Sequence, residues 1–379
     1  MLKLYEKKAD MKIETKTAKF TKPLYLESGR ILEPWQIIYE TYGELNENKD
    51  NVVLITHALS GSHHAAGKYE GDRKPGWWDA LIGDGKAIDT AKFFVISTNV
   101  IGSCFGSTSP LSPMYPGSSE RYGLKFPVIT IKDMVKAQKI LLDSLGIRHL
   151  KAIVGGSMGG MQALRFAVDF PGFCENIIPI ATTYQTKPYV IAINKAMIEA
   201  IRADGEFKNG NYDPEIIKER GLKGLAAARM IGYLNYISPK TFERKFGREY
   251  VKTDGMFELF GRFQVESYLE YNGAMFPKWF DPLSYIYILK AISLFDISRG
   301  FVSLEEAFSN IKDKLHLISF SGDTLFFPEE MRDIKRLMES VGGKCNYFEI
   351  NSDYGHDSFL VELDKFDFII KDILEGKIK

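Results

Sequence analysis

The stretch 152-AIVGGSMGGMQALRFA-167 decides the fold. Three apolar residues run into a glycine pair, then Ser157 and a methionine, then two more glycines and an alanine-bearing apolar run. A short apolar run with β-branched residues reads as a buried strand, and the run after the glycines has the composition of a helix. Strand, tight turn and helix follow one another directly, with a single hydroxyl at the turn. Gly155, Ser157 and Gly159 satisfy G-x-S-x-G, in which a Cβ at the flanking positions would strike the neighbouring strand and helix. Such a turn lifts the serine oxygen clear of the sheet, and the helix N-terminus behind it favours developing negative charge. A glycine-rich turn whose serine merely caps the helix has the same local composition. The decision therefore rests on what else the chain supplies.

Outward from this turn the same rhythm recurs. The runs 51-NVVLITHA-58 and 93-FFVISTNV-100 read as buried parallel strands. The run 131-IKDMVKAQKILLDSLG-146 reads as a helix, with Asp133 as its N-cap and Gly146 as its stop. Strand 176-NIIPIATT-183 follows. Before this region, residues 12–43 alternate with turn signals, which predicts antiparallel strands. Residues 183–299 are rich in helix formers and lack a convincing strand. The rhythm resumes with strand 315-LHLISFSGD-323, helix 328-PEEMRDIKRLMESVG-342, strand 345-CNYFEI-350 and a closing helix over 359–374. The expectation is an α/β class chain: a mostly parallel, doubly wound sheet formed by residues 1–182 and 300–379, interrupted by a helical lid insertion at 183–299.

The 379 residues carry 49 basic and 49 acidic side chains, so the formal net charge is zero. That balance, with no basic run, argues against a nucleic-acid partner. No apolar run reaches the length of a membrane span or of a signal-peptide core. Three scattered cysteines, Cys104, Cys174 and Cys345, suit free thiols in a reducing compartment, so a cytoplasmic location is expected.

A serine nucleophile needs a base, and the base needs an orienting acid, in the chain order serine, acid, histidine for this fold. Two of the six histidines follow Ser157. His316 lies inside a strand and reads as a packed residue. His356 lies in the polar loop 351-NSDYGHDSF-359 after a strand, where such sheets place their chemistry. Asp323 ends the preceding strand in a Gly-Asp turn and is the candidate acid. The G-x-C-x-G at 102–106 makes Cys104 a rival nucleophile, but loop follows it, not helix, and the reading is rejected. The oxyanion needs two backbone N–H donors. Met158 follows the nucleophile, and Leu59 lies in the loop after an early strand. That loop also carries His57, His63 and His64, which lack a fourth ligand and helical spacing, so no metal site is assigned.

These residues carry a resemblance. The runs 56-THALSGSHHAAG-67, 75-PGWWDALIGDGKAIDTAKFFVISTNVIGSCFGSTSP-110, 126-FPVITIKDMVKAQKILLDSLGI-147, 154-VGGSMGGMQALRFA-167 and 354-YGHDSFL-360 are similar to the homoserine O-acyltransferases of the α/β-hydrolase superfamily. The likeness spans about residues 20–375 and is weakest in the helical insertion. It implies acyl transfer, usually from acetyl-CoA, to the side-chain hydroxyl of L-homoserine on the route to methionine. It further implies a ping-pong mechanism, a homodimer, a cytoplasmic location and neither metal nor permanently bound cofactor. Ser157, Asp323 and His356 match the family's triad, and Arg229 and Asp357 match its substrate contacts. Chemistry supports the last two, because homoserine is a zwitterion: its carboxylate suits a guanidinium and its ammonium a carboxylate. Arg229 could instead snorkel or form a structural ion pair, and Asp357 could cap the last helix. One loop departs from the family: 106-GSTSPLSP-113 replaces a "GSTGPSS"-like run, which bears on the acyl group, acetyl or succinyl. The competing functions are a succinyl transferase, a serine O-acyltransferase and a carboxylesterase with the same triad.

Overall fold

The computed structural model describes residues 13–72 and 74–378. Its centre is an eight-stranded sheet. In chain order the strands are β1 (Glu14–Phe20), β2 (Trp35–Tyr42), β3 (Val52–Thr56), β4 (Phe94–Thr98), β5 (Leu150–Gly156), β6 (Cys174–Ile180), β7 (Lys314–Phe320) and β8 (Cys345–Ile350). They lie side by side as β1-β2-β4-β3-β5-β6-β7-β8. β1 and β2 pair antiparallel, as do β2 and β4. Every other neighbouring pair is parallel. The strand order reverses around β3, and a sheet that reverses there opens a crevice at the carboxyl ends of its central strands.

Both faces of the sheet are covered. Along β3, Val52 and Leu54 point into one apolar core while Val53 and Ile55 point into the other. The period-2 side-chain geometry of a strand requires this when both faces are buried. Helices α1 (Ile131–Ser144) and α2 (Met158–Asp169) cover the first face. The last helix, α12 (Asp367–Leu374), and the loop around Trp78 cover the second.

Two local expectations need correction. Thr130, not Asp133, is the N-cap of α1. Thr130 is extended and its hydroxyl accepts from the Asp133 N–H, while Asp133 accepts from the Thr130 N–H at 2.9 Å. The aspartate thus stands at the third helical position of a reciprocal capping box. The closing helix is not continuous either. It runs as α11 (Ser358–Val361), a 3-10 turn at Leu363–Lys365 and α12. Glu362 and Phe366 leave helical geometry, and Phe366 is fully buried against Phe320.

Between β6 and β7 the chain forms α3 (Pro188–Arg202), α4 (Pro214–Arg220), α5 (Lys223–Tyr236), α6 (Pro239–Phe246), α7 (Gln264–Met275) and α8 (Pro282–Ser293). α3 packs on α5 and α8, and α5 packs on α7. A short α9 (Leu304–Ser309) leads back to β7, and α10 (Pro328–Ser340) joins β7 to β8.

The turn from β5 to α2 is very close to β3. A Cβ on Gly155 would lie 2.1 Å from Thr56 Oγ1, and one on Gly159 would lie 2.1 Å from the Thr56 carbonyl oxygen. Gly159→Ala therefore has to push backbone apart, and we expect it to destabilise the protein by about 1–3 kcal/mol in denaturant unfolding. Gly205→Ala, whose methyl meets nothing within 4 Å, is the control and should stay within about 0.5 kcal/mol.

Candidate active site

Ser157 sits at φ 58° and ψ −122°, a conformation that L residues avoid and that surrounding structure must hold. The holding bonds are visible. The Ser157 N–H donates to the Ile180 carbonyl at 2.9 Å, and the Thr182 hydroxyl donates to the Ser157 carbonyl at 2.8 Å. The Ser157 side chain makes no capping bond to α2. Its Oγ lies 2.8 Å from His356 Nε2 instead.

His356 reaches this position from the loop after β8. Its Nδ1 lies 2.8 Å from Asp323 Oδ2. The other oxygen of Asp323 accepts the Leu325 and Phe326 N–H groups at 2.9 and 3.0 Å, which fixes the carboxylate. All three side chains are buried. Burial works against the imidazolium of His356, but the charge and hydrogen bond of Asp323, with a smaller push from Asp357, outweigh it and raise the pKa above the ordinary value near 6.5. Serine, imidazole and carboxylate form one chain of hydrogen bonds, with an acceptor positioned to take the serine proton.

Ser157 and His356 open onto a common cleft. Leu59, Arg229, Tyr236 and Asp357 line it as well. Among the described residues, neither the Leu59 N–H nor the Met158 N–H donates to a protein acceptor. Arg229 lies in α5, stacked over Phe276 at 4.6 Å and Tyr233 at 4.8 Å from the ring centroids. It makes a long hydrogen bond, 3.5 Å, to Ser60 Oγ, and no carboxylate among the described residues lies within ion-pair distance. A structural ion pair is thus not its role. Asp357 occupies the N-cap position of α11 but makes no capping bond. Burial raises its pKa against the opposing pull of His356 and Arg229.

The chain matches the α/β-hydrolase fold family over residues 51–363. It is 92% identical over 368 residues to a homoserine O-acetyltransferase of Nautilia profundicola, covering 97% of this chain and all of that one. It is 58% identical to a homoserine O-acetyltransferase of Sulfurimonas autotrophica, with 97% and 100% covered. The chain belongs to the homoserine O-acetyltransferase family. Among solved structures it resembles the homoserine O-acetyltransferase from Bacillus anthracis, with a TM-score of 0.88, 31% identity and 96% and 97% of the two chains covered. It resembles esterase E22 almost equally, with a TM-score of 0.87, 31% identity and 96% and 100% covered. Backbone shape alone therefore does not choose between water and an alcohol as acceptor.

The remaining sequence candidates lie elsewhere. Cys104 faces the Trp279 carbonyl, away from the Ser157 cleft, and burial pushes its thiol up to about 12. His316 is buried between Asn176 and Asn346. His63 and His64 turn to the buried Glu40, at 3.6 and 3.1 Å, and that carboxylate also accepts the Tyr42 and Tyr69 hydroxyls. Among the described residues no three His, Cys, Asp or Glu side chains are placed to hold a metal. Leu111, in the loop that departs from the family pattern, lines a separate cavity with Cys104, Lys218 and Trp279, not the Ser157 cleft. Sequence reasoning missed Tyr236. Its buried hydroxyl, beside Tyr285, lacks a well-formed hydrogen bond among the described residues. It follows Arg229 by seven residues, so the two share a helix face, and that spacing was the available signal.

The neutral imidazole is the form that can take a proton from Ser157. A raised pKa moves that form to higher pH. Modification of Ser157 by a phosphonate reagent should therefore speed up with pH through a midpoint above about 6.5. In Asp323→Asn the raising partner is gone, so the midpoint should move down and the plateau rate should fall by about 10³–10⁴-fold.

Proposed function

We propose that this protein transfers an acetyl group to the side-chain hydroxyl of L-homoserine by way of an acetyl ester on Ser157, with acetyl-CoA as donor. The observation that carries the reading is the single cleft that contains the Ser157–His356 pair together with Arg229 and Asp357. A cation without a carboxylate partner and a carboxylate without a capping role face the same space as the nucleophile. That arrangement suits a zwitterionic amino acid whose side-chain hydroxyl must reach an acyl-serine.

His356 Nε2 takes the Ser157 proton as Oγ attacks the thioester carbonyl carbon. Leu59 and Met158 N–H groups hold the oxyanion. The C–S bond breaks, and the CoA sulfur leaves with the proton from His356. Homoserine then enters, its carboxylate toward Arg229 and its ammonium toward Asp357. His356 takes the proton of the homoserine hydroxyl, whose oxygen attacks the acetyl carbon, and Ser157 leaves and recovers the proton. Asp323 holds the imidazole tautomer and stabilises its charged form throughout. Residues 183–299 act as a lid in this reading. They supply Arg229 and the apolar walls Val190, Ile193, Met197 and Ile292, which limit water at the acetyl-enzyme stage.

The family resemblance adds a homodimer and a cytoplasmic location. Support for the first comes from an exposed apolar run on the helical segment, with Phe257 99%, Leu259 87% and Phe260 88% exposed. No described helix is long and apolar enough to cross a membrane.

Thiol release from acetyl-CoA tests the function. Homoserine should sustain turnover, while serine as acceptor or succinyl-CoA as donor should not. Release that ignores homoserine would instead favour an esterase. Ser157→Ala should abolish turnover with the fold intact. Arg229→Ala should raise the homoserine KM by roughly 100-fold, the loss of one charge-assisted pair, while leaving the acetyl-CoA half-reaction near the parent's rate.

A further inference from the structure

We propose that the His57 side chain sets the direction of the Leu59 N–H and so acts as a positioning residue for the transfer. The proposal rests on the reading of Ser157 as nucleophile and of the Leu59 N–H as an oxyanion donor. His57 follows the last residue of β3 and is fully buried; Ala58, Leu59 and Ser60 line the cleft, and His57 does not.

Both ring nitrogens face backbone. The Val100 N–H lies 3.1 Å from Nε2. An amide N–H can only donate, so Nε2 carries no proton. The proton is therefore on Nδ1, which donates to the Ala58 carbonyl at 2.7 Å. The ring stays neutral, since burial pushes its pKa down to about 4. The Gly61 N–H donates to the same carbonyl at 3.0 Å. Two donors thus pin the Ala58 carbonyl on the buried side.

The Ala58–Leu59 peptide is trans, since among the described residues only Glu33–Pro34 is cis. In a planar trans peptide the N–H projects from the edge opposite the carbonyl. With the carbonyl held by His57, the Leu59 N–H is turned toward the cleft. The residue itself cannot slip. The His57 carbonyl accepts Gln162 Nε2 at 3.0 Å, and Gln162 Oε1 accepts Gln138 Nε2 at 2.8 Å, which ties the segment to α2 and α1. Rotating this peptide would break two bonds to the Ala58 oxygen and remove one of two oxyanion donors.

The test uses the whole enzyme and three replacements. Asn keeps an N–H donor near the Nδ1 position. Gln reaches the Nε2 position and can still accept from Val100, but offers nothing to Ala58. Phe keeps the ring and loses both bonds. Burst release of thiol from acetyl-CoA without homoserine reports acetyl-enzyme formation, and steady-state assays report kcat and the homoserine KM. His57→Gln and His57→Phe should each slow acetyl-enzyme formation about 100-fold, the loss expected for one oxyanion donor, with the homoserine KM within about twofold of the parent. His57→Asn should recover about tenfold or more of that loss. Formation at the parent's rate in His57→Gln, an Asn variant no faster than the Gln variant, or losses confined to KM would each overturn the proposal. If His57→Phe does not fold, the Asn and Gln pair decides. Ser157→Ala separates the two levels. Turnover by that variant would bring down the reading of the site itself, whereas a silent Ser157→Ala beside a fully active His57→Gln would bring down the positioning role alone.

Discussion

The carbonyl oxygen of Thr56 lies where a methyl group on Gly159 would need to be, and the Thr56 hydroxyl donates to the Gly159 carbonyl at 2.8 Å. The first turn of α2 is therefore seated directly on the end of β3. Two chain segments that are far apart in sequence leave the sheet side by side, each with a backbone N–H that has no protein acceptor among the described residues. The serine between them pays in backbone strain for its exposure, at φ 58°. Dense packing on both faces of β3 and β5 holds that strain, because the bonds to Ile180 and Thr182 cannot relax without opening the core.

Charge is distributed in this cleft with the same economy. Asp323 is held by His356 and two backbone donors. Arg229 and Asp357 influence each other through space without touching. A buried guanidinium stacked on aromatic rings keeps its charge, yet its fork of donors is left open in the cleft.

Much of this was legible in the sequence because it is local. The strand-glycine-serine-glycine-helix succession names the elbow, and the ends of β7 and β8 name Asp323 and His356 by position alone. What sequence left open depends on contacts between distant segments. Whether Ser157 caps α2 or faces His356 turns on a loop 199 residues away. Asp133 was misplaced by three residues because a capping box uses both Thr130 and Asp133, and a linear reading cannot say which side chain is outside the helix. The break at Phe366 is set by a ring that fits beside Phe320. The loop at 106–113 was read as bearing on the acyl group, yet its Leu111 lines a cavity with Cys104 and Trp279, apart from the Ser157 cleft. Tyr236 carries no charge to mark it in the sequence, and its place beside Arg229 shows only once both lie on one face of α5.

The C-terminal end of α5 is fastened to the histidine loop. The Asp357 N–H donates to the Tyr236 carbonyl at 3.0 Å, the Ser238 N–H donates to the Tyr354 carbonyl at 2.8 Å, and Gly355 passes so close that a Cβ would meet the Ser238 nitrogen at 2.6 Å. The helical segment and the base are thus one mechanical part. A chimera that exchanged residues 183–299 for those of a relative, to change the acceptor, would carry the wrong surface for the loop at 351–357. A graft of the helical segment therefore has to match the surface of the loop at 351–357 as well.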